Sequence, residues 1–263
     1  MTYDPTASAG QTALLRVESL VRTFGGIRAV DRVSFDLAPG ELLALIGPNG
    51  AGKSTCFNCI NGQLRPDSGR ILLNGASIGG LTPRAIWRRG VGRTFQIAAT
   101  WSSMTVSENV QLALLSHARR AWQWWGRAGM LHRDTALALL GDVGLRDAAD
   151  VPCGTLAYGD IKRLELALAL SNQPRLLLMD EPTAGMAPRE RHDLLALVAR
   201  LVRERGIGVL FTEHSMDVVF AHADRIIVLA RGEVIAQGPP QVIRADARVQ
   251  EVYLGTPEPE ALS

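Results

Sequence analysis

Glu41-Leu42-Leu43-Ala44-Leu45-Ile46-Gly47-Pro48-Asn49-Gly50-Ala51-Gly52-Lys53-Ser54-Thr55 is the stretch that decides the fold. Its apolar run up to Ile46 reads as a buried strand, and residues 54–64 read as a helix ending near Asn61-Gly62. Between the two, Gly47 to Ser54 matches G-x-x-x-x-G-K-[ST] in the strand–loop–helix setting that the pattern requires. Glycines let such a loop curl until successive N–H groups point inward at phosphate oxygens, and the helix start adds the positive end of its dipole. Lys53 is then placed for the β- and γ-phosphates of a nucleotide, and the Ser54 hydroxyl for Mg²⁺.

Upstream, the apolar runs LLRVESL, VSFDL and ELLALIG, broken by Gly25-Gly26 and Pro39-Gly40, read as strands joined by turns. Downstream, Gly69–Asn74 reads as a strand with Asn74-Gly75 as a hairpin turn. From about residue 104 to 148 the pattern is helical. Thr105 and Glu108 form a capping box, Val106, Val110, Ala113 and Leu114 fall on one helix face, and Ala136, Leu139, Leu140 and Val143 make a second stripe. Residues 160–171 and 189–205 are further helices, and Arg175–Met179, Ile207–Phe211 and Arg225–Ala230 are short buried strands. Strands alternating with helices predict a mainly parallel α/β core with a helical insert near 97–154.

Composition agrees with such a domain. The 263 residues carry a net charge of +2, too balanced to argue for nucleic acid. The basic residues are 26 Arg and only two Lys, so Lys53 and Lys162 stand out. No apolar run approaches the roughly 20 residues of a membrane span, and the start lacks a secretory pattern. Three Cys fit a reducing compartment, and the C-x-x-C of Cys56 and Cys59 reads as buried helix thiols, not a redox or metal pair, because no second pair completes a site.

A second piece of nucleotide chemistry lies at Leu176–Glu181. The apolar strand delivers Asp180 at its carboxyl end, where parallel sheets bind ligands, and a carboxylate there can hold Mg²⁺ through water. Glu181 faces the other way and can polarise an attacking water.

Leu156-Ala157-Tyr158-Gly159-Asp160, followed by Lys162-Arg163-Leu164-Glu165-Leu166-Ala167, resembles the signature motif of ABC ATPases, and the resemblance runs over residues 14–256 in the family's motif order. It implies a P-loop α/β core with an antiparallel β lobe near residues 14–45 and a helical lobe, one domain over 13–256 with tails at 1–12 and 257–263, and ATP and Mg²⁺ as cofactors. It implies that Phe24 stacks on adenine, that Gln96 in Gly92–Gln96 joins the core to the helical lobe and helps hold the metal, and that His214 contacts the γ-phosphate. Gly47, Pro48, Asn49, Gly50, Ala51, Gly52, Lys53, Ser54 and Thr55 would bind phosphate on one side. Ala157, Tyr158, Gly159 and Asp160 would close on the nucleotide of a facing subunit. Glu181, His214 and Gln96 are the catalytic candidates, and Ser54, Gln96 and Asp180 the metal candidates.

Gly92–Gln96, Thr212–Met216, Ala184-Gly185 and Tyr253-Leu254-Gly255 look like the longer ATPase subunit of branched-chain amino-acid importers. That resemblance implies a head-to-tail ATP sandwich with a sister ATPase or with itself. It also implies docking on separate permease chains as a peripheral subunit at the cytoplasmic face of the inner (plasma) membrane, and indirect service to an external solute-binding protein; nucleic acid is not an expected partner. Importers of urea, amides or aromatic acids share the plan, and a lipopolysaccharide-export ATPase is the nearer rival. A DNA clamp would need a long coiled-coil insert or a basic groove, and the roughly 60 residues between Gln96 and the signature cannot form the former. Two positions depart from the family pattern: Ala157 replaces the signature serine, and Ala187 replaces a polar residue that would reach across the dimer.

Other features read more plainly. Trp122, Trp124 and Trp125 pack the helical lobe or meet a membrane or partner. Arg84, Arg88, Arg89 and Arg93 form a solvated helix face. His117, His132, His192 and His222 have no metal-ligand spacing and are structural or surface residues.

Overall fold

The computed structural model describes residues 13–94, 100–117 and 132–254. In these residues the strands form two sheets. The first is antiparallel and built from β1 (Leu15–Phe24), β2 (Ile27–Leu37), β4 (Ser68–Leu73) and β5 (Ala76–Ser77), in the order β2-β1-β4-β5. The second has the order β10-β9-β3-β8-β7-β6, from β3 (Leu42–Ile46), β6 (Val91–Arg93), β7 (Leu176–Asp180), β8 (Gly208–Thr212), β9 (Arg225–Ala230) and β10 (Glu233–Gly238). Its strands are parallel except β10, which returns antiparallel beside β9.

The antiparallel lobe draws its two longest strands from the stretch near 14–45 but has different bounds. Only β1 and β2 come from it, β4 and β5 complete the sheet, and β3 leaves for the parallel sheet. The reason is burial: β3 is covered on both faces, the environment of a central parallel strand. Asn74 and Gly75, at φ 48° and 77°, make the tight turn between β4 and β5 that an Asn-Gly pair favours.

The parallel strands send alternate side chains to two cores. Leu42, Ala44, Ile46, Leu177, Met179, Val209, Phe211, Ile226 and Val228 face one; Leu43, Leu45, Leu176, Leu178, Leu210, Ile227 and Leu229 face the other. On the second face lie the antiparallel sheet and α1 (Lys53–Ile60), which contributes Cys56, Phe57, Cys59 and Ile60. Burial pushes the Cys59 thiol up to about 11 and the Cys56 thiol higher, so neither is a ready thiolate. The first face carries α3 (Val106–His117), α4 (Arg133–Asp142), α5 (Tyr158–Leu170), α6 (Pro188–Arg205) and α7 (Met216–His222). Short helices α2 (Pro83–Trp87), α8 (Pro240–Ala245) and α9 (Ala247–Leu254) complete the described elements.

The Thr105–Glu108 capping box forms as expected: Thr105 N donates to Glu108 Oε2 at 2.7 Å, and Glu108 N to Thr105 Oγ1 at 3.2 Å. Val106, Val110, Ala136, Leu139, Leu140 and Val143 are buried in the first core and Leu114 packs partly buried against it, whereas Ala113 of the first predicted stripe lines a groove instead. The tails, Gln96, and Trp122, Trp124 and Trp125 lie outside the described residues, as does the His117 side chain.

Candidate functional site

The neighbouring strands β3, β8 and β7 end on the same edge of the sheet, and each delivers chemistry there. After β3 the loop curls on glycine. A Cβ on Gly47 would lie 2.2 Å from the Leu229 carbonyl oxygen, and one on Gly52 2.2 Å from that of Ala29, so both positions exclude any side chain. Gly50, at φ 77°, has open space around it. Gly52, at φ 102°, begins α1 with no side-chain cap, which leaves the first-turn N–H groups to the loop cavity. The Lys53 ammonium folds back over the loop and donates to the carbonyls of Gly47 at 2.6 Å and Pro48 at 3.0 Å. Burial holds its pKa below the usual 10.5, while Glu181 and Asp180 pull it back up. Ser54 is exposed at the helix start, and Thr55 is half-buried.

At the end of β7, Asp180 stands in register with Thr212 on β8. The Thr212 hydroxyl donates to Asp180 Oδ1 at 2.7 Å and accepts from Glu181 N at 3.0 Å. Glu181 has φ 49°, left-handed backbone that a non-glycine residue keeps only where its surroundings hold it. That twist turns its carboxylate to the next loop, where Glu181 Oε1 meets His214 Nε2 at 2.8 Å. A carboxylate and an imidazole in contact, on the same sheet edge as the phosphate loop's lysine, can polarise water beside a bound phosphate.

Phe24 is exposed at the end of β1, with the Arg22 guanidinium 4.8 Å from its ring centroid. Ala157 caps the start of α5 without a side-chain hydrogen bond, and of the first-turn N–H groups Asp160 N donates to the Ala157 carbonyl at 3.0 Å. Beside it the Tyr158 hydroxyl donates to the Ala184 carbonyl at 3.0 Å, which joins the 156–160 segment to the loop that follows Glu181. Lys162 is buried, salt-bridged to Glu165 at 3.1 Å and 5.4 Å from the Tyr158 ring centroid. The structure thus brings Lys53, Ser54, Asp180, Glu181 and His214 to one sheet edge and sets Tyr158, Gly159 and Asp160 on a separate helix start.

Sequence reasoning misses three features of this region. Arg93 is not on a solvated helix face. It ends β6, its side chain is 19% exposed, and its guanidinium lies 3.6 Å from Asp180 Oδ2. Burial lowers its pKa, and Asp180 opposes that shift. Only the pairing of β6 with β7 places it there, whereas Arg84, Arg88 and Arg89 are exposed as expected. Thr212 and Glu213 stand in the Thr212–Met216 segment that carries a resemblance, but their bonds to Asp180, Glu181 and Thr183 emerge only in the fold. His192 and His222 also meet, Nδ1 to Nε2 at 3.2 Å, with Asp217 Oδ2 3.2 Å from His192 Nε2. Among the described residues no cluster of three or more His, Cys, Asp or Glu could hold a metal ion.

Comparison with known proteins adds a consistent set of likenesses. Residues 30–184 match the ABC transporter family model, and residues 233–259 match the model of the branched-chain amino acid ATP-binding cassette transporter. The chain is 39% identical over 249 residues to the high-affinity branched-chain amino acid transport ATP-binding protein BraF of Pseudomonas aeruginosa, covering 92% of this chain and 98% of the relative. The LivG protein of Escherichia coli, of the same description, matches with the same identity and coverage. Among solved structures, a nucleotide-free ATP-binding cassette from an ABC transporter superposes with a TM-score of 0.81 at 32% identity, covering 93% of this chain and 100% of that one. A dimeric cassette in a post-hydrolysis state, bound to ADP and Pi, gives 0.71 at 26% identity, over 86% of this chain and 98% of that one.

Proposed function

The chain belongs to the ABC transporter ATP-binding family, and on that premise we propose that it is the ATP-hydrolysing subunit of an importer for branched-chain or other hydrophobic amino acids. The observation that carries the reading is the convergence of Lys53, Asp180, Glu181 and His214 at the carboxyl ends of three adjacent parallel strands. The names of the relatives and the C-terminal match over 233–259 support the solute class.

In this reading residues 47–55 hold the phosphates of ATP and Phe24 stacks on the base. The side-chain-free cradle at Gly47 and Gly52 and the uncapped start of α1 fit a phosphate chain. Asp180 and Ser54 suit Mg²⁺ arriving with ATP, because a hard cation that keeps water and phosphate ligands needs few protein oxygens. When bound, the ion neutralises charge developing on the phosphates. Glu181 accepts the proton of the attacking water, and His214 orients Glu181 and faces the γ-phosphate. Gln96 would link this chemistry to the helical lobe.

One chain carries half of each site, so Ala157, Tyr158, Gly159 and Asp160 close on the ATP of a second ATPase, a sister subunit or another copy. The solved dimer of a related cassette supports that pairing. No described helix is long and apolar enough to cross a membrane. A groove of about 420 Å³ beside β6, lined by Ile86, Trp87, Val91, Trp101, Leu112 and Leu168, suits a short permease helix. The subunit then sits peripherally at the cytoplasmic face of the plasma membrane, and an external binding protein delivers solute to the permease. The domain spans 13–256.

Co-purification from membranes followed by uptake assays tests the proposal. Recovery of permease subunits, with ATP-dependent uptake of labelled leucine by the reconstituted complex, is the expected result. Uptake of urea, amides or aromatic acids alone, or recovery of lipopolysaccharide-export partners, would replace this solute class.

A further inference from the structure

Glu181 needs its surroundings to stay in place, because its left-handed backbone is not self-sustaining. Thr212 secures it on one side. On the other, the chain turns through Pro182 to Thr183, and Thr183 is fastened to the neighbouring strand end by Glu213. Thr183 N and its hydroxyl both donate to Glu213 Oε1, at 2.9 and 2.6 Å. The other oxygen, Oε2, accepts from His214 N at 3.2 Å. Glu213 is 3% exposed and, among the described residues, makes no hydrogen bond to residues 47–55.

We propose that Glu213 is a positioning residue for hydrolysis: its carboxylate clamps the loop carrying Glu181 to the loop carrying His214 and so maintains their 2.8 Å contact. The proposal rests on the reading of Glu181 as general base. Three donors from two loops converge on two oxygens, and only an ionised carboxylate offers acceptors at both ends. A glutamine of the same shape keeps one acceptor and turns its NH₂ towards either Thr183 or the His214 N–H, donor against donor. Arg191 on α6 ties the same loops a second time, donating from Nε to the Met186 carbonyl at 2.8 Å and from its terminal nitrogen to Ser215 Oγ at 2.7 Å. With two ties, loss of one shifts the loops without unfolding them. Neither tie touches the phosphate loop, so the defect falls on the rate and not on capture of ATP.

The test compares Glu213→Gln, Thr183→Val, the double variant and the conservative Thr183→Ser. Hydrolysis is measured in the complex with permease and sister ATPase, and Mg-ATP binding by calorimetry on the chain. Misplacement of a catalytic group predicts that Glu213→Gln lowers kcat by about tenfold to a hundredfold, with KM and the Kd for Mg-ATP within about twofold. Thr183→Val lowers kcat in the same direction, the double variant is no worse than Glu213→Gln, and Thr183→Ser retains activity. Normal kcat in Glu213→Gln, equal losses in Thr183→Ser and Thr183→Val, or kcat and ATP affinity falling together would overturn the proposal. If Glu213→Gln does not fold, the Thr183 pair decides. Glu181→Gln run in parallel separates the two claims: near-normal hydrolysis there removes the general-base reading itself, whereas an inactive Glu181→Gln beside a normal Glu213→Gln removes only the clamp.

Discussion

The phosphate loop and the carboxylate loops lie on the same sheet edge, yet they are held by opposite means. Residues 47–53 are held within their own stretch of chain: glycines enter positions closed to a Cβ, and the Lys53 ammonium bonds to backbone carbonyls five and six residues away. Residues 180–187 and 212–215 are shaped by side chains reaching between strands: Thr212 to Asp180, Thr183 to Glu213, His214 to Glu181 and Arg191 to both loops. A backbone-built cradle suits phosphate, whose recognition needs many N–H groups. A side-chain-built pair suits proton transfer, which needs one acceptor aimed at one water.

The sharpest way to break this contrast is Glu181→Gln. It removes the proton acceptor and leaves the cradle, so hydrolysis should fall about 10²–10⁴-fold while Mg-ATP still binds. Single-turnover ATPase assays beside equilibrium binding check it, and lost binding would mean that the two regions are not separable. Next in size, Lys53→Ala removes a charged hydrogen-bond donor contributing roughly 1.5–3 kcal/mol, so affinity for ATP should fall tenfold or more by calorimetry. Unchanged affinity would remove the loop from the site.

The glycines sharpen the backbone half. Gly50→Ala meets no atom within 4 Å and bears only its left-handed backbone, a cost of about 1–2 kcal/mol. Gly52→Ala also drives a Cβ to 2.2 Å from a carbonyl oxygen, so thermal denaturation should show the larger loss there. Equal losses would mean that the cradle is looser than its geometry.

The smallest effect concerns the contact behind the side-chain half, where His192 and His222 join α6 to α7. Burial, with His192 and Arg203 nearby, lowers the His222 pKa from its ordinary 6.5. The folded state then binds fewer protons than the unfolded one, so stability decreases as pH falls from about 6.5 through the lower folded value. Urea melts across pH 5–8 should show that slope, and His222→Gln should flatten it. A slope unaltered by the substitution would assign it to other groups.

Much of the backbone half is legible in the sequence, because its signals are contiguous: an apolar strand, glycines at set offsets, Lys53 and a helix. The Thr105–Glu108 box and Asn74-Gly75 are legible for the same reason. Asp180 and Glu181 are readable as the end of an apolar strand, and His214 through its resemblance to a known motif. The contact Glu213 makes is not: the Thr212–Met216 segment carries a resemblance, but its partner Thr183 lies 30 residues away. Arg93 is easily misplaced because the three-residue β6 is too short for its periodicity to separate it from the arginine-rich helix that precedes it.

Sequence by itself determined the glycine-rich loop between strand and helix, the alternation of strands and helices, and the residue types of the Glu181–His214 pair. These depend on backbone dihedrals and side-chain periodicity, which act over a few neighbouring residues. Tertiary structure decided that β3 joins the parallel sheet, that Arg93 faces Asp180 and that Glu213 ties Thr183 to His214. Strand order set these contacts. A strand chooses its neighbours by burying both faces and completing its hydrogen bonds, a choice made by the whole sheet and written in no single segment.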